Sequence, residues 1–149
     1  FLAMPCNTAH YYYQQISKMV SIPLLNMIEL SARSLAALDL SKIGILASPA
    51  LKKIGVFDES FNSYQLESKF VENDVDMLKL ITEIKKGSLG NTTVDNFKLQ
   101  VTKLVDYNCD GILIACTELS LLKEHVPKSL TILDSLDCLV DSIINESIK

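Results

Sequence analysis

The sequence contains no run approaching the roughly 20 apolar residues that a membrane-spanning helix needs, so no membrane partner is expected. Glycine and proline are scarce, at 5 and 4 of 149 residues, which excludes a disordered or low-complexity chain. Basic residues do not dominate either. Fourteen Lys and Arg stand against 18 Asp and Glu, for a net charge of -4, and no diffuse positive field exists to hold nucleic-acid phosphates. The four cysteines, Cys6, Cys109, Cys116 and Cys138, include no closely spaced pair, and the only histidines are His10 and His125. Structural zinc and a Cys-x-x-Cys redox dithiol are disfavoured by that spacing. Nor are the cysteines dense enough for a disulfide-stapled secreted domain, so free thiols are expected. The opening Phe1-Leu2-Ala3-Met4-Pro5 carries no basic leader, and a cytoplasmic location is expected.

What is present is apolar and periodic. Hydrophobic residues make up 48% of the chain and mean hydropathy is +0.24, an excess read as buried parallel strands in one core-forming unit. Phe1 to Met4 read as the end of a buried strand whose beginning is missing, so the chain is expected to be part of a longer protein. Helical patterns follow at Tyr11 to Val20, Glu29 to Leu38, Asn73 to Lys86, Thr93 to Tyr107 and Leu136 to Ile148. Strands are predicted at Lys42 to Ala47, Gly111 to Ala115 and Leu130 to Leu133, and a short buried strand or its approach at Ile22 to Ile28, while Leu51 to Phe70 is mixed, a short helix plus loop. The alternation predicts an α/β fold with a largely parallel sheet flanked by helices.

An apolar strand, a cysteine, a polar residue and a helix occur in that order at Cys6 and again at Cys116. Ligands of parallel α/β sheets bind beyond the carboxyl ends of strands, where free backbone N–H groups of helix starts accept anions. A cysteine at that position is expected to have a lowered pKa and to be reactive. The alternative is that each thiol is a small buried hydrophobe, and it is preferred for Cys109, beside a helix end, and Cys138, inside an apolar helix face.

The segments Met4-Pro5-Cys6-Asn7-Thr8-Ala9-His10 and Gly111-Ile112-Leu113-Ile114-Ala115-Cys116-Thr117-Glu118-Leu119 resemble the two signature segments of the aspartate/glutamate racemase family. Ala9-His10 and Thr117-Glu118 resemble its aspartate or broad-specificity branch, since glutamate racemases proper usually carry His in place of Glu118. The resemblance implies two pseudo-symmetric lobes, each with a largely parallel sheet. The second lobe is expected at residues 38–126, and an incomplete first lobe at residues 1–37 and 127–149. It also implies an amino-acid racemase that uses neither metal nor pyridoxal phosphate and is commonly a homodimer.

In that family Cys6 and Cys116 would be the paired acid and base, one for each face of the substrate Cα. Asn7, Thr8 and Thr117 would hold the substrate's carboxylate and amino group, with helix capping as their plain alternative. Glu118 would orient the amino group or tune Cys116, and His10 would support them from behind or be an ordinary half-buried histidine. Lys85 and Lys86 lie where some members carry a basic residue for a side-chain carboxylate; a solvated helix end is the alternative. At Leu46-Ala47-Ser48-Pro49 the chain departs from the family's Ala-Thr-x-Gly-Thr type loop, and only Ser48 keeps a hydroxyl for substrate binding. Racemisation of a small acidic amino acid is the leading function. Hydantoin racemisation, maleate isomerisation, decarboxylation, or a non-catalytic domain of the same fold are the alternatives.

Overall fold

Lys42-Ile43-Gly44-Ile45-Leu46 and Gly111-Ile112-Leu113-Ile114 are apolar at nearly every position because they form the two middle strands of a sheet covered on both faces. The computed structural model describes residues 1–148. Its strands are β1 (Lys42–Leu46), β2 (Glu67–Phe70), β3 (Gly111–Ile114) and β4 (Thr131–Asp134), arranged β2-β1-β3-β4 with every pairing parallel. The expected α/β class is thereby observed. Successive residues serve opposite faces. Ile112 and Ile114 join one apolar cluster with Met77, Leu80, Ile81, Ile84, Phe97, Val101 and Leu104, and Leu113 joins the other with Ile28, Leu35, Ile43, Ile45 and Phe61.

The first cluster is closed by α5 (Asp74–Lys85) and α6 (Asn91–Asp106); the second by α2 (Met27–Ala37), α3 (Pro49–Ile54) and α4 (Asp58–Ser63). α6 crosses β1 so closely that a Cβ on Gly44 would stand 2.9 Å from both Leu104 Cβ and Ile112 Cδ1. Only glycine allows that approach. α5 stops where Gly87 takes a left-handed φ of 81°, its N–H donating to Ile84 O and that of Ser88 to Glu83 O. A short α1 (Tyr13–Met19) follows the 3-10 turn Thr8–Tyr12, and α7 (Ser135–Ser147) closes the chain against α2.

Several expectations are corrected. The predicted strand at Ile22 to Ile28 is a single parallel bridge between Leu2 and Leu24. It ends there because the Asn26 side chain accepts from the N–H groups of Ile28 and Glu29 and starts α2. The mixed stretch Leu51 to Phe70 holds α3, α4 and β2. That strand escaped notice because Glu67-Ser68-Lys69 is polar, as suits an edge. β4 hydrogen-bonds to β3 and extends the sheet that holds β1 and β2, while α7 packs on α2.

The register of the middle strands is braced at their amino ends. Asp110 accepts from Ser41 N–H (3.0 Å), Ser41 Oγ (2.8 Å) and Lys42 N–H (3.0 Å), while its own N–H donates to Lys42 O. Burial alone would raise its carboxyl pKa, but the bonds from Ser41 and Lys42 outweigh that and hold it below 3.8. Asp110→Asn is accordingly expected to destabilise the fold by about 1 kcal/mol at neutral pH, a modest figure because the site is exposed. A carboxylate with a lowered folded pKa stabilises above its unfolded value. The difference between wild type and variant, read from urea midpoints, should be complete above pH 3.8 and vanish as pH falls through the lowered value.

Candidate functional site

The carboxyl edge of the sheet gathers Ser48 after β1, Cys116 after β3 and Ser135 after β4. The Cys6 loop reaches the same edge through side chains. Asn7 Nδ2 donates to Ser135 Oγ at 2.8 Å, and Ser135 Oγ donates to Ile114 O at 2.9 Å. Thr8 Oγ1 lies 3.4 Å from Ser48 Oγ. Asn7, next to Cys6, is thus linked by two hydrogen bonds to the strand that runs into Cys116. The expected capping role of Asn7 and Thr8 is not seen: Asn7 stands at the start of the 3-10 turn, but no side-chain capping bond is made. Ser48 does cap, accepting from Leu51 N–H at 3.3 Å.

His10 holds the Cys6 loop from the other side. Met27 N–H donates to His10 Nε2 at 3.0 Å, so the ring proton is on Nδ1, which donates to Cys6 O at 2.8 Å. Burial is the main influence on the ring and lowers its pKa below 6.5, keeping the neutral form that both bonds require. Leu2 and Leu25 fasten the approach to this loop, through Leu2 N–H to Pro23 O and Leu25 N–H to Leu2 O. The thiol of Cys6 itself is exposed.

Cys116 has a different environment. Its Sγ–H donates to Glu118 Oε2 at 3.1 Å, and the other oxygen, Oε1, is paired with Lys85 Nζ at 3.2 Å. Thr117 Oγ1 lies 3.5 Å from the same Oε2. Burial, followed by the bond to Glu118 and its charge, pushes the Cys116 pKa up to about 12. The expected lowering is thus overturned at Cys116. The segment after it is a 3-10 turn, Leu119–His125, whose first N–H groups are spent on Cys116 O, and a carboxylate lies against the sulfur. Burial works against ionisation of Glu118 as well, but bonds from Cys116, from its own N–H and from Lys85 leave its pKa lowered. Proton on sulfur and charge on Glu118 is the arrangement both groups favour.

At this end of the sheet Asn7 is bonded to Ser135, Thr8 lies against Ser48, Cys6 is held through its backbone O by His10, and Cys116, Thr117 and Lys85 converge on Glu118. Cys109 and Cys138 lie apart, in the apolar packing of the helices, and burial raises both thiols. Lys86 turns to Glu83. Among the described residues no group of three or more His, Cys, Asp and Glu side chains is placed to hold a metal ion, and no helix is long and apolar enough to cross a membrane.

Two residues of this edge went unnoticed in the sequence, Asp134 and Ser135. Asp134 Oδ1 accepts from Leu136 N–H and from Ser120 Oγ, both at 2.9 Å, which joins the turn after Cys116 to the start of α7. Asp134-Ser135 following the apolar β4 repeats the strand-then-cap signature that drew attention to the cysteines, and that signal could have found them.

Known proteins resemble the chain in sequence and in fold. The broad specificity amino-acid racemase RacX of Bacillus subtilis (strain 168) is 25% identical over 146 residues, covering 97% of this chain and 63% of that protein. The chain thus spans less than two thirds of that relative's length. Picrophilus torridus aspartate racemase shares the fold at a TM-score of 0.84 and 22% identity, over 97% of this chain and 60% of its own. Glutamate racemase from Francisella tularensis subsp. tularensis SCHU S4, solved in complex with D-glutamate, shares it at 0.76 and 18%, over 97% and 56%. A family model described as Asp/Glu/Hydantoin racemase matches residues 1–143, and on that match the chain belongs to the Asp/Glu/hydantoin racemase family.

Proposed function

We propose that the protein racemises a small acidic amino acid, aspartate or glutamate, with Cys6 and Cys116 as the two acid/base groups. The observation that carries this reading is the bridge from Asn7 through Ser135 to Ile114, which holds the Cys6 loop against the strand leading into Cys116. Racemisation removes the Cα proton from one face and returns one to the other. One side chain cannot serve both faces, whereas a thiol and a thiolate across a planar carbanion can, and exchanging their protonation states runs the reaction backwards.

The two sulfurs have unequal surroundings. Cys116, held as a thiol, is the resting proton donor, and exposed Cys6 is the base that starts the cycle. A thiol with a pKa near 12 is a weak acid, but its thiolate is a correspondingly strong base toward the weakly acidic Cα–H. In the reverse direction Glu118 and Lys85 set that strength. Asn7, Thr8, Ser48 and Thr117 are the proposed donors to the substrate's carboxylate and the partners of its amino group, with developing enolate charge stabilised by hydrogen bonds. Lys85 is the proposed partner of an acidic substrate side chain. The reading includes a first lobe completed by residues outside this chain, a cytoplasmic homodimer, and chemistry without metal or pyridoxal phosphate. Support for an amino-acid substrate comes from RacX and from the aspartate and glutamate racemases that share the fold.

In the whole protein, Cys6→Ser and Cys116→Ser are each expected to lower racemisation by roughly 10²-fold or more, because serine cannot supply a thiolate-like base. Each variant should retain Cα-deuterium exchange with one enantiomer only, and the surviving enantiomer should differ between them. Proton NMR in D2O with aspartate, glutamate and a hydantoin in the panel reads this directly. Normal racemisation by Cys116→Ser would refute the two-base mechanism.

The Glu118 contact makes a separate prediction. Burial is the largest cause of the raised Cys116 thiol and is kept in Glu118→Gln, but the variant removes the charge that adds to it, so at mildly alkaline pH iodoacetamide should modify Cys116 several-fold faster than in wild type, with Cys109 and Cys138 unchanged. Peptide mapping by mass spectrometry reports each cysteine. An unchanged Cys116 rate would show that Glu118 does not govern its protonation.

A further inference from the structure

Ser135 is 1% exposed and makes two hydrogen bonds whose directions are not interchangeable. Ile114 O is a carbonyl and can only accept, so the single proton of the Ser135 hydroxyl is committed to it. Toward Asn7 the hydroxyl can then only accept. This forces the Asn7 amide to present its Nδ2 to Ser135, and Oδ1 is turned away, buried and without a partner. A free amide would not choose an orientation that leaves a buried acceptor unpaired. The orientation is imposed by Ser135, and through it by the backbone of β3. Asp134, one residue earlier, does the corresponding thing for the second cysteine. Its carboxylate holds Ser120 Oγ, while the N–H groups of Leu119 and Ser120 hold Cys116 O at 2.9 and 3.3 Å.

We infer that Asp134-Ser135, at the carboxyl end of β4, is a positioning element that sets the two cysteine loops relative to each other, with Ser135 fixing the amide orientation of Asn7 beside Cys6. The inference rests on the two-cysteine reading for its consequence in turnover, but not for the structural coupling itself. Ser135 touches neither sulfur. Its removal should therefore act on one face of the reaction: the Cys6 loop loses its tie to β3, whereas Cys116, still held by Glu118 and by the turn that Asp134 braces, does not.

The test uses the whole protein with Ser135→Ala and Ser135→Thr. Cα-deuterium exchange is measured separately from each enantiomer, and hydrogen-exchange protection of the Asn7 side-chain amide is followed by nitrogen-15 NMR. Ser135→Ala should lower exchange on the face served by Cys6 by about tenfold or more relative to the face served by Cys116, and should lose Asn7 amide protection by a similar factor. Ser135→Thr, which keeps the hydroxyl, should restore both. Unchanged Asn7 protection in a folded Ser135→Ala variant overturns the inference whatever the rates. An equal loss on both faces, or a Thr variant that recovers neither measurement, assigns the effect to packing and overturns it too. If the wild type exchanges no Cα proton from any amino acid, it is the racemase reading that fails, and the Asn7 signal still decides the role of Ser135.

Discussion

Burial of a parallel sheet on both faces governs everything polar in this molecule. β1 and β3 are sealed between two apolar clusters, with Ile43, Leu46, Leu113 and Ile114 fully buried, so neither can present a functional side chain along its length. Chemistry is displaced to the ends. At the amino ends Asp110 sets the register of β1 against β3; at the carboxyl ends the chain must leave the sheet, and backbone groups there have no ladder partner. Ile114 O is one such group, satisfied by Ser135, whose hydroxyl then has only an acceptor left for Asn7. A requirement of the core, that buried carbonyls be paired, thereby brings in the loop that carries the first cysteine.

The same logic makes the two cysteines unequal. Cys116 follows a middle strand directly, so it inherits that strand's burial, and burial is the first cause of its raised pKa. Cys6 follows a segment joined to its neighbour by one bridge, Leu2 to Leu24, and its thiol is exposed. On the proposed reading, a pair of groups that exchanges a proton through a substrate has unequal members without any difference in residue type, one buried and one exposed.

How much of this was legible in the sequence follows from where side-chain periodicity carries information. β1 and β3 were readable because covering on both faces demands continuous apolar runs, and α5 and α6 because one apolar stripe faces the core. β2 was not, since an edge strand keeps polar residues, and Leu24 to Asn26 misled because an apolar approach to a helix has the same composition as a short strand. The cysteines were legible from strand-end position and motif together. The protonation of Cys116 was not: a strand-end position before a helix start predicts a lowered thiol, whereas burial, and after it the contact with Glu118 two residues on, act in the opposite direction. Ser135 and Asp134 were illegible as partners of residues far away in the chain, because nothing local distinguishes a hydroxyl bonded across the sheet edge from a helix cap.

Glu118 in place of the histidine usual in glutamate racemases has a further physical consequence. A neutral imidazole beside a thiol adds no net charge, but a carboxylate in a half-buried position needs a counter-charge, and here Lys85 provides it from the last turn of α5. On the proposed reading the same lysine meets an acidic substrate side chain, so substrate and Glu118 compete for it. As Lys85 turns toward the substrate, Glu118 is left less neutralised against Cys116, and its negative charge raises the proton affinity of that sulfur further. The substrate's own charge would then strengthen Cys116 as a base in the direction in which its thiolate removes the Cα proton, and weaken it as a donor in the other, which ties an acidic side chain to the acid/base step through three side chains in sequence: Lys85, Glu118 and Cys116.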